Sequence, residues 1–581
     1  MKPVRPVHTV LARHRARRPY RWSAVAALAA LALALASCGG SSPSSSSTPT
    51  TSGHAGGVFT ILANSNFGTA DPAQNYTLEE WQLLIDTHDG LVQFQRVNGV
   101  AGQTLVPDLA TAMPTISDGG KTYLFHVRRG IKFSNGEVVK PSDFVRTIER
   151  QYTVPGGNPG FYANIIGASA CSTKGCDLTK GMIADDTNYT LTFKLTAAVP
   201  EFLDRLALPF AYVVPGTTSL KLTGNTVPPG TGPYMWKSYD PNKQAVLVRN
   251  PFFKVWNPLA QPPGNPNEII EKYGLLVSDE ITAVKNGQAN EVFDGDQIPA
   301  DQLATLNSSQ FASQVHVNSL YATWYFALNT SRPPFNNLQA RQAINYAANR
   351  SAYVKIAGGS SLAAPTCQIL PPSFPSYQPY CPYTSGSSTT TWSGPNMTKA
   401  RAMVKASGTA GMKLVVNGTN DQVGKALVEQ MVSDLDAIGY KATPQVLASG
   451  PQYPFVQNSD NSAKWNVGWS AWYDDYPQPS DFLNVLTGCG SIHKGSDASP
   501  NIAEFCNQSI QAQINQAESE AQSDPAAATA AWTKIDQEVT NQAPWVAIYT
   551  PRQIDFLSSN VHGYQWNPQW DILIDQLWLS K

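Results

Sequence analysis

The chain has seven cysteines, and six of them form three pairs that are close together in sequence. Thiols at short spacing either oxidise to disulfides or bind a metal ion. No CxxC or CxxH spacing accompanies these pairs, so the metal interpretation is weak, and we expect neither a metal nor a cofactor. Six cysteines allow 15 connectivities, but the short separations favour local disulfides. The expected pairs are Cys171 with Cys176, Cys367 with Cys381, and Cys489 with Cys506.

The seventh cysteine, Cys38, follows Leu35-Ala36-Ser37. Upstream lie a basic N-terminus and an apolar run over residues 23–35, which is the layout of a secretory signal peptide. Such a run is about 20 Å long as a helix, too short for a ~30 Å hydrocarbon core. A Cys at the cleavage site is typical of a bacterial lipobox, where it is lipidated and becomes the first mature residue. A cleavable signal with a chance Cys is the alternative, and Arg17-Arg18 leaves Tat-type export open beside Sec.

These features predict a protein on the outer face of the cytoplasmic membrane. Residues 1–37 are the expected signal peptide, and the lipid on Cys38 is the expected membrane anchor. Residues 38–57 are mostly Gly, Ser, Thr and Pro, which cannot bury a core and therefore predict a flexible tether. Export to an oxidising compartment also permits the three disulfides.

Charge excludes one class of partner. Removing residues 1–37 takes seven of the 41 Lys and Arg residues and leaves 34 against 42 Asp and Glu, a formal charge of −8. A mildly acidic chain is a poor nucleic-acid binder, and we expect no such partner.

The chain is long enough for two or three domains. Its aromatic residues are plentiful, and several stand in Pro/Gly-rich loops, which suits a ligand-lined cleft as well as a core.

Motifs of common enzymes are missing from the sequence. It contains no GxSxG, HExxH or GxxxxGK[ST] motif. The segments 491–494 (SIHK) and 459–461 (SDN) match two β-lactamase motifs, but their order is wrong and no KTG follows. A chance coincidence is the favoured interpretation, and we predict a protein that is not an enzyme. A catalytic pair of carboxylates stays an open alternative, because no short sequence motif defines one.

The elements that position these residues follow an α/β pattern. Residues 57–62 form the first predicted strand, and strong period-2 alternation predicts another at 189–195. In the second half, a predicted strand at 412–416 is followed by a helix over 421–438 and a strand at 441–447. This β-α-β alternation predicts a parallel sheet covered by helices.

Several sequence blocks stand out along the chain. They are 117–136 (SDGGKTYLFHVRRGIKFSNG), 141–144 (PSDF), 231–234 (TGPY), 250–253 (NPFF), Asn329 with 333–335 (PPF) and 341–344 (RQAI), and 469–477 (WSAWYDDYP). These blocks and their order resemble the extracytoplasmic solute-binding proteins of ABC importers, in the oligopeptide/dipeptide/nickel class called family 5. The resemblance covers nearly the whole mature chain.

The resemblance implies an α/β fold, a two-lobed clamshell like type II periplasmic binding proteins, with an extra domain inserted in the first lobe. For this chain the resemblance implies lobe I at 58–92, 215–318 and 546–581, an inserted α+β domain at 93–214, and lobe II at 319–545. Ligand lies between the lobes, which close over it when contacts to both lobes favour the closed state.

The resemblance also implies which residues bind ligand. In peptide-binding relatives the Asp that matches Asp475 pairs with the ligand's α-ammonium, and Asp474 is the alternative here. A charged group in a dry cleft requires such a partner. Trp469, Trp472 and Tyr473 are expected to wall the cleft, with core packing as the competing interpretation. Further candidates are Asn64, Ser65, Asn66 and Phe67 after the first strand, and Tyr321 and Trp324 near the hinge strand.

The expected function is that of a monomeric lipoprotein that binds peptides and delivers them to an ABC permease. A family member for another solute, such as a nickel chelate, haem or an oligosaccharide, is the first alternative. A secreted hydrolase and a signalling lipoprotein are alternatives of other classes.

Overall fold

The computed structural model describes residues 54–580 except 67, 77, 222, 223, 225, 294, 296, 297 and 522, and only the backbone at 78–80 and 300. The predicted signal peptide, Cys38, most of the predicted tether and Phe67 therefore lie outside the described residues. Within the described part, no helix combines the length and the apolar character needed to cross a bilayer.

Short strands alternate with helices along the described chain. The strands are β1 (Val58–Ala63), β2 (Val92–Phe94), β3 (Leu105–Pro107), β4 (Thr115–Ser117), β5 (Thr122–His126), β6 (Met182–Asp185), β7 (Thr190–Lys194), β8 (Tyr234–Asp240), β9 (Gln244–Arg249), β10 (Glu268–Tyr273), β11 (Glu291–Val292), β12 (Val315–Ser319), β13 (Ala322–Leu328), β14 (Ala363–Pro365), β15 (Lys413–Thr419), β16 (Lys441–Leu447), β17 (Val467–Tyr473), β18 (Trp545–Leu557), β19 (Val561–His562), β20 (Trp566–Asn567), β21 (Asp571–Ile572) and β22 (Trp578–Leu579).

The helices lie mainly on the faces of the sheets. They are α1 (Leu78–Thr87), α2 (Pro141–Thr153), α3 (Phe202–Leu206), α4 (Val277–Lys285), α5 (Ala300–Leu306), α6 (Leu338–Ala347), α7 (Arg350–Ile356), α8 (Met397–Ala406), α9 (Gln422–Ala437), α10 (Ser449–Gln457), α11 (Pro479–Thr487), α12 (Gln508–Glu520) and α13 (Pro525–Gln542).

One long strand joins two halves of the main sheet. The strand order is β16-β15-β17-β13-β18-β11-β1-β10-β9-β8, and β12 and β14 also pair with β18. The first residues of β18 pair with β13, whereas its last residues pair with β11 and β12. We refer to β1 and β8–β12 with the end of β18 as lobe I, and to β13–β17 with the start of β18 as lobe II. The lobes meet where β18 passes from one to the other.

Lobe II contains the predicted β-α-β unit. Strands β15 and β16 are parallel, with Lys413 opposite Lys441, and α9 connects them. The side chain of Asp421 caps α9 by accepting a hydrogen bond from the Gly424 N–H at 2.8 Å. Leu427 and Met431 of α9 are fully buried in the lobe II core. The predicted strand–helix–strand order is confirmed, and the helix begins and ends within a residue of the predicted positions.

A second, smaller sheet lies within the segment between β2 and β8. Its strand order is β4-β5-β7-β6, and all its pairs are antiparallel. Tyr123, Phe125, Phe193 and Phe202 pack edge-on or tilted against one another beneath it. The same core cluster includes Trp570 near the C-terminus, so this sheet packs directly onto lobe I.

Three disulfides tie local loops. The structure joins Cys171 to Cys176, Cys367 to Cys381 and Cys489 to Cys506. These are the sequential pairs that the short spacing favours. The third pair links the start of the loop after α11 to the residue just before the Asn507 cap of α12.

A buried arginine links distant segments of lobe I. The Arg96 Nη2 atom lies 2.6 Å from Asp86 Oδ1 and 2.8 Å from Asp575 Oδ1, and all three side chains are buried. Burial and the charge of Asp575 raise the pKa of Asp86 to about 8, although Arg96 acts in the opposite direction. Burial also raises the pKa of Asp575, although the charge and the hydrogen bond of Arg96 lower it. One guanidinium therefore faces two buried carboxyls and can balance the charge of only one of them.

This cluster predicts an asymmetry between two substitutions. Arg96→Leu removes the cation from both buried carboxyls and should lower the free energy of unfolding by about 3–5 kcal/mol. Asp86→Asn removes one of the two competing carboxyls and keeps an oxygen that can accept from Arg96, so it should cost much less. Urea unfolding of both variants measures the difference, and equal losses would contradict the view that one guanidinium balances only one of the carboxyls.

Candidate ligand site between the lobes

The predicted acidic residues lie just beyond the end of β17. The Asp474 N–H donates to the Tyr321 carbonyl at 3.0 Å, which continues the pairing of β17 with β13. The next N–H, that of Asp475, donates to Asp481 Oδ2 at 2.9 Å. Asp481 belongs to the first turn of α11, which begins at Pro479. The strand end and the helix start therefore fix the backbone around Asp475.

Lobe I reaches this point from the other side. The Tyr76 hydroxyl donates to Asp475 Oδ1 at 2.9 Å, and Gln569 Nε2 donates to the Asp475 carbonyl at 3.0 Å. Tyr76 lies between β1 and α1, and Gln569 lies between β20 and β21. One residue of lobe II is thus held by two distant segments of lobe I, so Asp475 lies where the lobes meet.

Burial changes the proton affinity of the three neighbouring carboxyls. It raises the pKa of Asp475 to about 7, although the Tyr76 hydrogen bond and the charge of Arg205 lower it. Burial and the charge of Asp475 raise the pKa of Asp474 well above its usual range, and the same causes act on Asp481. Among the described residues, neither carboxyl oxygen of Asp474 has a hydrogen-bond partner.

Acidic groups outnumber the cation beside them. Arg205 lies over the Tyr476 ring, 5.8 Å from its centroid, and its Nη2 is 3.9 Å from Glu201 Oε2. Gln478 Nε2 donates to the buried Asp204 at 3.2 Å, across the same contact. Chemically, the arrangement can accept a positively charged group, since partly buried carboxylates pair best with a cation.

Two of the predicted aromatic residues line a cavity at the lobe junction. Trp324 and Tyr473 lie beside Tyr549 around a space of about 250 Å³. Trp324 stacks on Tyr549 with centroids 5.8 Å apart, and Tyr473 meets the Trp324 ring edge-on at 5.1 Å. These side chains stand on neighbouring strands of lobe II and face lobe I residues such as Ile554.

The other predicted aromatic residues lie outside this cavity. Trp472 faces the opposite side of β17, and its Nε1 donates at 3.3 Å to Asp481 Oδ2, the oxygen that also accepts from the Asp475 N–H, so Trp472 lies beside the acidic residues. Trp469 lies further along the strand against Tyr453, with centroids 6.3 Å apart. Tyr321 is buried, and its hydroxyl donates to the Ser373 carbonyl at 3.3 Å.

The loop after β1 is bound to its own lobe. Asn64 Nδ2 donates to the Leu275 carbonyl at 2.7 Å, and Asn66 Nδ2 donates to the Pro241 carbonyl at 2.9 Å. Ser65 is exposed. This loop follows the carboxyl end of β1, which points along β11 towards lobe II because β11 is parallel to β1 and antiparallel to β18.

Sequence reasoning missed Tyr76 and Gln569. Tyr76 is 399 residues from Asp475 and Gln569 is 94 residues away, so no local spacing connects them. The β-lactamase-like segments have ordinary roles in loops. Ser491 Oγ donates to the Asn484 carbonyl at 3.0 Å, and Ser459 Oγ accepts from the Gly495 N–H at 2.8 Å.

The fold and this site define a two-lobed binding protein. A family model described as "Bacterial extracellular solute-binding proteins, family 5 Middle" matches residues 104–494, more than half of the chain. The chain belongs to this family, as the sequence blocks predict. The description of the family names solute binding as its role.

Known relatives agree along nearly the whole chain. The periplasmic oligopeptide-binding protein OppA of Escherichia coli is 24% identical over 550 residues, covering 88% of this chain and 95% of OppA. Di/tripeptide-binding protein 2 of Pseudomonas aeruginosa is 25% identical over 499 residues, covering 80% of this chain and 85% of that protein. The solved structure of clavulanic acid biosynthesis oligopeptide binding protein 2 matches with a TM-score of 0.82 at 21% identity, covering 91% and 96% of the two chains. This likeness confirms the predicted two-lobed α/β fold.

The contact between Tyr76 and Asp475 predicts a shift in titration. Tyr76→Phe removes a hydrogen bond that favours the ionised carboxylate, so the pKa of Asp475 should rise above 7. Carboxyl-carbon NMR, with Asp475→Asn to assign the signal, measures this shift. Tyr380→Phe is the control, because that hydroxyl donates to Asn541 away from the site. An unchanged pKa in Tyr76→Phe would show that the hydroxyl does not stabilise the charge.

Proposed function

We propose that this protein is the peptide-binding receptor of an ABC importer. In this proposal it captures peptides between its lobes and delivers them to a membrane permease. The observation that carries the proposal is Asp475, a carboxylate at the lobe junction with a contact from each lobe. The names of two relatives describe the binding of oligopeptides and of di- or tripeptides, and these names support the same class of solute.

Asp475 is the proposed partner of the ligand's α-ammonium. Its carboxylate faces the opposite lobe, where it already accepts a hydrogen bond from Tyr76. An ammonium would add a charge-assisted hydrogen bond at the same oxygens. Asp474 is the weaker candidate, since its side chain is buried and burial raises its pKa well above the usual range, which disfavours the ionised form that pairs with a cation. Trp324 and Tyr473 are the proposed apolar wall of the site, and the loop of Asn64, Ser65 and Asn66 is proposed to line its lobe I side.

Ligand binding and lobe closure are proposed to be one equilibrium. A ligand favours the closed arrangement only by the contacts that it makes there and not in the open one. The proposed moving units are lobe I at 58–92, 215–318 and 552–581 with its insert at 93–214, and lobe II at 319–551. The proposed C-terminal boundary lies after 551 and not at the expected 545, because the first residues of β18 pair with β13 and β14. Their proposed hinge comprises Leu320 and the middle of β18, where the Leu320 N–H donates to the Pro551 carbonyl at 3.2 Å.

A non-peptide solute with a cationic group is the second candidate, since the excess of carboxylates favours a cation of either kind. Native mass spectrometry of protein purified without denaturant separates the two. Co-purified masses that fragment as peptides support the first candidate, and other masses support the second.

Asp475→Asn should reduce peptide affinity at least about 100-fold, since truncating one partner of a buried charge pair commonly costs this much. Calorimetry with a panel of di- and tripeptides measures the effect, and thermal unfolding should change little. Asp474→Asn is the matched control, and it should bind within a few-fold of the wild type. Full affinity in Asp475→Asn would rule out the assigned role.

Affinity should depend on pH in a defined direction. A bound ammonium favours ionised Asp475 and lowers its pKa, so binding below pH 7 releases a proton. Affinity for a peptide without ionisable side chains should therefore fall up to about tenfold per pH unit below 7 and be nearly flat just above 7. Calorimetry between pH 5 and 8 tests this, and an affinity that does not vary below pH 7 would contradict it.

The proposed anchor is a lipid on Cys38. Cys38→Ser should release the protein from the membrane fraction into the medium, because one residue supplies the attachment site. The released protein should bind peptides as tightly as the wild type. Fractionation and calorimetry measure the two properties, and a variant that stays membrane-bound would contradict the lipid anchor.

A further inference from the structure

The aromatic cavity at the lobe junction has a composition suited to one kind of ligand group. Its walls are the rings of Trp324, Tyr473 and Tyr549 together with aliphatic side chains from both lobes, among them Val423 of lobe II and Ile554 of lobe I. At about 250 Å³ the cavity falls below the usual range of pockets that enclose a whole small molecule. Its size suits one side chain of a longer ligand.

Strand register places the three rings in a row. Trp324 of β13 is opposite Tyr549 of β18, and Ala322 is opposite Tyr473 of β17. Side chains two residues apart on a strand share a face, so Tyr473 lies diagonally beside Trp324 on the same face as Tyr549. Three adjacent strands thus present one continuous aromatic surface.

This surface differs from the neighbouring core. Tyr473 remains 39% exposed, whereas Tyr325, on the other face of β13, is 2% exposed within the lobe II core. The cavity is also completed by residues of lobe I, such as Ile298 and Ile554. A space bounded by both lobes is formed only where they meet, which is where a ligand contacts them together.

The cavity is within reach of the acidic site. Tyr473 precedes Asp475 by two residues, a rise of about 7 Å along an extended chain. Consecutive α-carbons of a peptide are 3.8 Å apart. Strand β17 ends at Tyr473, so about 7 Å is the upper limit of this separation. A peptide whose ammonium pairs with Asp475 can therefore place a side chain of its first two residues at the aromatic surface.

The positive charge of Arg552 at the cavity disfavours a basic side chain of the ligand there. Arg552 lines the cavity, and its Nη1 donates to the Ser360 carbonyl at 2.7 Å. A Lys or Arg side chain of the ligand would meet this like charge, whereas a neutral ring would pack on the faces and edges of the three aromatic residues.

We propose that this cavity is a specificity subsite for an aromatic side chain in the first two residues of the peptide ligand. The proposal rests on the proposed peptide-binding function and adds a preference to it. The aromatic side chain supplies apolar contact, and Asp475 sets which end of the peptide lies beside it.

The test compares three tripeptides: Ala-Ala-Ala, Phe-Ala-Ala and Ala-Phe-Ala. The wild type should bind at least one of the Phe peptides about 10- to 100-fold more tightly than Ala-Ala-Ala, which corresponds to burial of one ring. Tyr473→Ala should reduce this preference at least about fivefold, where the preference is the ratio of the Phe-peptide affinity to the Ala-Ala-Ala affinity measured in the same variant. Tyr473→Leu, which keeps an apolar strand residue, guards against a folding defect and should retain part of the preference.

Phe252→Ala is the matched control, since Phe252 is 39% exposed like Tyr473 but lies on the loop after β9. It should leave all three affinities unchanged. An undiminished Phe preference in Tyr473→Ala, or no Phe preference in the wild type, would overturn the subsite while peptide binding itself stands. If the wild type binds no tripeptide and Asp475→Asn changes nothing, the peptide-binding function fails, and the subsite fails with it.

Discussion

Carboxyl groups crowded between two lobes are the constraint on which this structure depends. Asp474 and Asp481 are buried and Asp475 is half-buried, and burial raises the pKa of all three. Such groups either bind protons or pair with a cation, since an isolated buried charge is very costly. Arg205 lies beside this cluster, but Glu201 and Asp204 are next to it as well. An added positive charge would favour the ionised carboxyls over the protonated ones, which is the chemical basis of the proposed ammonium site.

The position of these carboxyl groups follows from the way the chain crosses between the lobes. Strand β18 pairs with lobe II strands at its start and with lobe I strands at its end, so both lobes share one hydrogen-bonded ladder. The neighbouring crossing at Leu320 and Tyr321 leads directly to the backbone that holds Asp474. A change in the angle between the lobes must therefore alter the contacts of Asp475 with Tyr76 and Gln569, which come from lobe I. The chemistry of the site and the geometry of the lobes are thus coupled through a few residues.

Sequence patterns predicted what depends on short spacing. The unit β15-α9-β16, the sequential disulfides and the acidic pair after β17 all lie within segments of fewer than forty residues. The contact from Tyr76 depends on the packing of segments 399 residues apart, and no periodicity or motif in either segment predicts it. Tyr321 and Trp324 show a subtler limit. Both lie near the same crossing, but they fall on opposite faces of β13, so one packs against Phe374 in the core and the other lines the cavity. Only the register of the sheet distinguishes them.

The same register explains how one site would combine two kinds of recognition. Side chains alternate along β17, so Trp472 meets Asp481 of α11 on one face and Tyr473 meets the ring of Trp324 on the other. Beyond the last residue of β17 the chain turns into α11, and there Asp475 faces the opposite lobe. Charge pairing fixes orientation and penalises wrong partners, whereas apolar contact supplies affinity with little directional demand. Because Asp475 follows Tyr473 by two residues, the proposed peptide ligand would contact both groups together. On that proposal, a solute with a cationic end but no ring, or with a ring but no cationic end, would make only half of the contacts that favour closure.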